Sequence, residues 1–75
     1  MPILKWANDV LSRTTEDERE EMQGLFDTAY WTRNANHQLS PDTEISLAPK
    51  VPGTIQRPVF AHMQNGKWLA ELKAN

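Results

Sequence analysis

Asn65-Gly66 constrains this chain more than any other pair of residues in it. A two-residue type I′ turn needs φ > 0 at both central positions, and Asn-Gly meets that demand at low cost. Placing the turn there predicts a β-hairpin over residues 57–73. Gln64 then faces Lys67, Met63 faces Trp68, His62 faces Leu69, Ala61 faces Ala70, Phe60 faces Glu71 and Val59 faces Leu72. Strand alternation puts Val59, Ala61, Met63, Trp68, Ala70 and Leu72 on one wholly apolar side. A slip of one residue would destroy that match, so the two strands support each other's assignment.

The other elements follow from period and punctuation. Pro2 suits the first helical position, and Ile3, Leu4, Ala7, Val10 and Leu11 recur at helical spacing, which predicts a short helix over residues 2–12. Thr15 and Glu18 form a capping box, and Glu16 and Asp17 add the negative charge that a helix N-terminus favours. The main helix is predicted over residues 15–34, with Met22, Leu25, Phe26, Ala29 and Tyr30 as its apolar stripe. Asn34 or Asn36 is a candidate for its left-handed C-terminal position. Residues 35–43 are turn-rich, with Leu39 as an anchor. Residues 44–50 are predicted as an edge strand with Ile45 and Leu47 pointing inward, since Pro49, Pro52 and Pro58 suit an edge or a loop and Pro52-Gly53 signals a turn. The expected fold class is α+β: two N-terminal helices followed by a small antiparallel sheet of two or three strands, ending in the C-terminal hairpin.

Seventy-five residues make one domain, residues 1–75. At this size folding buries only roughly 60% of the unfolded surface, so the stability margin is thin and a second copy or a partner subunit is a candidate source of extra core. The absence of cysteine excludes disulfides and thiolate metal clusters and fits a reducing compartment. No apolar run approaches the ~20 residues that span a bilayer, and there is no signal-peptide core. The expectation is a cytoplasmic protein with no membrane contact. Net charge is −2 but unevenly spread: residues 1–32 carry seven acids and three bases, and residues 33–75 three acids and five bases. That implies an acidic helical face and a mildly basic sheet, well short of a nucleic-acid footprint.

No phosphate loop, dinucleotide fingerprint, nucleophile elbow or H-E-x-x-H motif occurs. His37 falls in a turn region and His62 on the outer face of the hairpin, without the paired spacing a metal asks for. The expectation is therefore not an enzyme, with no cofactor and no metal. A helix-turn-helix is also rejected, because the candidate recognition helix opens Glu16-Asp17-Glu18, which phosphates repel.

Trp31 is the most informative single residue. On a helical wheel it sits nearly opposite the apolar stripe, beside Asp17, Glu20, Gly24 and Thr28. Either the first helix covers it, bringing Trp6 near Trp31 over Gly24, or the main helix ends early and Trp31 turns inward, or it is a recognition anchor of the kind that dominates binding hot spots. The outer face of the hairpin offers Phe60, His62, Gln64, Lys67, Leu69, Glu71 and Lys73. The reading is a small interaction protein of accessory, regulator or inhibitor type that docks on a larger protein partner, a size of domain common among phage and mobile-element proteins. Its candidate contacts are Trp31, Arg33, Phe60, His62 and Lys67, with Glu20 and Asp27 as a charged rim. A homodimer is a further candidate assembly. The rival reading is nucleic-acid binding through the outer face of the hairpin.

Overall fold

The computed structural model describes residues 3–35, 42–50, 55 and 57–73. Its elements in chain order are β1 (Lys5–Trp6), α1 (Asn8–Leu11), α2 (Glu16–Ala35), β2 (Glu44–Leu47), β3 (Val59–Gln64) and β4 (Lys67–Leu72). His37, Leu39, Asn36 and Pro52-Gly53 lie outside the described residues.

The hairpin folds in the register that the turn dictates, from Gln64 opposite Lys67 to Val59 opposite Leu72. Asn65 has φ 53° and Gly66 φ 75°, the left-handed values that a type I′ turn requires. Pairing continues past β4, where the Lys73 N–H donates to the Pro58 carbonyl at 2.8 Å. The Arg57 guanidinium then clamps the Lys73 carbonyl with two bonds of 3.1 and 3.0 Å.

The sheet has four strands among the described residues, in the order β1-β4-β3-β2, and is mixed. This corrects the expectation of two or three antiparallel strands. β2 pairs antiparallel with β3 and buries Ile45 and Leu47 as expected, but it stops at Leu47, before Pro49. A proline has no N–H to give a ladder.

The larger correction lies at the N-terminus. The predicted helix over residues 2–12 shrinks to the single turn α1, and Lys5–Trp6 becomes a strand parallel to β4. Ala7 is extended, at ψ 155°, and its N–H donates to the Ala70 carbonyl at 2.9 Å. An edge of β4 facing away from β3 carries main-chain groups that need partners, and pairing Lys5 and Trp6 to it supplies some. Burial here alternates with period two: Ile3 is 83% exposed, Leu4 buried, Lys5 exposed and Trp6 half-buried.

α2 begins at the predicted box. The Glu18 N–H donates to Thr15 Oγ1 at 3.2 Å and the Thr15 N–H donates to Glu18 Oε1 at 2.9 Å. Asn34 lies inside the helix rather than capping it. The stripe of α2 meets the apolar face of the sheet, where Phe26 and Met22 are fully buried with Ile45, Val59, Ala61 and Ala70. Val10 from α1 joins this core. Gln23 ties the layers together: its Oε1 accepts the Leu4 N–H at 3.3 Å while its Nε2 donates to Asp27 Oδ1 at 2.8 Å. The result is a two-layer α+β fold with both helices on the inner side of the sheet. No helix among the described residues is long and apolar enough to cross a membrane.

Candidate functional site

The residues singled out from sequence fall on two different layers. Phe60, His62 and Lys67 belong to the outer face of the sheet, and Trp31, Arg33, Glu20 and Asp27 belong to α2 on the other side. They do not form one continuous patch.

On α2, Trp31 is 51% exposed. Neither covering arrangement considered from sequence occurs: α2 continues to Ala35, and α1 does not lie over Gly24, where an added Cβ would meet no atom within 4 Å. The indole is nevertheless seated. It stands edge-on to Tyr30 at 5.9 Å and 78°, and Tyr30 stands edge-on to the buried Trp68 at 6.2 Å and 85°. Such tilted aromatic contacts restrict both rings. Exposed Glu20, Gly24, Thr28, Thr32 and Ala35 surround Trp31 along the same side of the helix, so mostly small groups flank it. Arg33 is half-buried. Asp27, also half-buried, is engaged by Gln23 and so serves the fold as well as any rim.

On the outer face, the ladder brings Glu44 opposite His62 and Ser46 opposite Phe60. His62 Nε2 donates to Glu71 Oε1 at 2.7 Å, a diagonal contact across the hairpin. Lys73 reaches back over β3: its Nζ donates to Glu44 Oε1 at 3.0 Å and lies 4.5 Å from the centroid of the Phe60 ring. Glu44, Phe60, His62, Glu71 and Lys73, with Asp42, line a groove of about 450 Å³. A second hollow of about 320 Å³ lies by the turn and includes Lys5, Lys67 and Leu69. Among the described residues no group of three or more His, Asp or Glu is placed to hold a metal ion.

Glu71 and Lys73 were placed on the outer face from sequence but not among the candidate contacts, and Glu44 was in neither set. The hairpin register already made Glu71 a diagonal neighbour of His62, and that signal was available. Glu44 needed the pairing of β2 with β3, and Lys73 needed the path of a long flexible side chain. Compared with family models, curated proteins and solved structures, the chain matches none.

Proposed function

We propose that this protein is a non-enzymatic interaction module that docks on a larger protein partner, acting as an accessory, regulator or inhibitor through Trp31. The observation that carries this reading is the indole itself, half out of the surface yet held edge-on by Tyr30. A large aromatic already restricted before binding gives up little rotamer freedom when it enters a pocket. Tryptophan is also among the residues that most often dominate interface energetics. The acids Glu16, Asp17 and Glu20, exposed nearer the start of α2, would orient a partner with a basic rim.

The test is capture from a lysate of the native host, quantified by mass spectrometry, with wild-type and Trp31→Ala protein. A partner enriched by the wild type and lost with the variant, at unchanged thermal midpoint, supports the reading. Equal enrichment by both proteins refutes it.

Nucleic-acid binding through the outer face is the second reading, favoured by Lys5 and Lys67 beside the turn. Asp42, Glu44 and Glu71 on the same face weigh against it, since carboxylates repel phosphate. A complex with an oligonucleotide that dissolves steeply with added salt would favour this alternative.

A further inference from the structure

We propose that the groove beside Phe60 is a receptor for a lysine or arginine side chain of a partner protein, and that Lys73 is its built-in occupant. This site lies on the opposite layer from Trp31 and stands whether or not Trp31 is an anchor.

The chemistry of the groove selects a cation. Phe60 faces outward, opposite Ser46 and Glu71 in the ladder, so its ring is a wall of the groove and not part of the core. Aromatic faces attract ammonium and guanidinium groups within about 6 Å of the centroid. Among the described residues, three carboxylates, Asp42, Glu44 and Glu71, line the same groove against one lysine, Lys73. Glu71 is held by His62, and Glu44 by Lys73. The Lys73 ammonium thus sits where a ring face and a carboxylate converge, which is the arrangement an incoming cation would use.

The occupant is also built to leave. Its main chain is fixed by Pro58 and Arg57, through the Lys73 N–H and carbonyl. Only the side chain has to swing away. The side chains of Lys73 and Glu44 are 53% and 46% exposed, so water and salt screen their pair. Displacing it costs little and leaves the hairpin intact. Arginine fits the vacated place better than lysine, since its flat guanidinium stacks on a ring while its edge bonds a carboxylate.

The experiment is an NMR titration of labelled protein with acetyl-Gly-Arg-Gly-amide, and with acetyl-Gly-Glu-Gly-amide as control. The arginine peptide alone should give saturable shifts at Phe60, His62 and Glu71. Lys73→Gln should tighten its binding about two- to fivefold, the size expected on removing a competing exposed pair, and Glu44→Gln should weaken it. The proposal is overturned if the arginine peptide gives no saturable shift with either wild type or Lys73→Gln. It is equally overturned if the glutamate peptide shifts the same residues, or if Lys73→Gln fails to tighten binding. Any of these results leaves the Trp31 reading as it was.

Discussion

Phe26 and Trp68 meet edge to face, 5.2 Å between ring centroids and 62° between planes, and through this contact α2 is joined to β4. Phe26 is fully buried and Trp68 nearly so. Phe26→Ala removes the α2 side of the joint and opens a cavity beside Trp68. The expected cost is about 3–5 kcal/mol, a large share of a small domain's stability. Urea denaturation followed by tryptophan fluorescence should show a much lower midpoint, or no folded baseline.

Gly66→Val tests the turn. An added Cβ at Gly66 meets no atom within 4 Å, so the penalty comes from the backbone at φ 75° and not from a clash. Placing a β-branched residue in the left-handed region costs at least about 1–2 kcal/mol, or a fall in thermal midpoint of roughly 4–8 °C per kcal/mol at this chain length. Gly66→Asn, which tolerates that region better, should lose clearly less. A midpoint for the valine variant equal to wild type would show that the turn does not use this conformation.

Thr15→Ala removes the oxygen that accepts the Glu18 N–H. The loss should be about 1 kcal/mol, with Thr15→Ser retaining most of the stability. Calorimetry of the three proteins side by side measures it.

Gln23→Leu should loosen one edge of the sheet without unfolding the rest. Gln23 bonds the Leu4 N–H just before β1, whose pairing with β4 runs from Lys5 opposite Leu69 to the Ala7–Ala70 bond. Amide exchange at Leu4 and Ala7 should quicken by about tenfold, the equivalent of one lost hydrogen bond. Amides of the β3–β4 ladder should keep their protection. Equal loss at every site would mean that β1 and the hairpin open as one unit.

Trp31→Ala should change stability by no more than about 0.5 kcal/mol, as exposed positions usually do. A thermal melt is sufficient. A large drop would mean that the contact with Tyr30 carries structural weight and that Trp31 belongs to the fold.

The hairpin was legible from sequence because a backbone requirement at Asn65 and Gly66 and a side-chain pattern along both strands point to one register. α2 was legible because its capping box and its stripe are both local. β1 was not, and the reason lies in residues 3–11. Leu4, Ala7 and Leu11 satisfy a helical period, while Leu4 and Trp6 also satisfy a strand period. The choice between them is made by β4, which is far away in sequence. The outward placement of Phe60 and His62 could be read from the ladder. The meeting of Lys73 with Glu44 and Phe60 could not, because it depends on the path of one long side chain across two strands. The exposure of Trp31 likewise depended on where α1 would go, and α1 is one turn packed with β4.

The parallel pairing of β1 with β4 has the largest sequence separation of any strand pairing among the described residues. Asn65-Gly66 closes its strands across two residues, and such hairpins form in about 1–10 μs. Lys5 finds Leu69 only by closing nearly the whole described length of the chain, which costs far more entropy. Among the described strands β1 therefore closes the longest loop, and its pairing with β4 is the entropically costliest of the sheet. Until it joins, β4 presents an open edge to any other strand within reach.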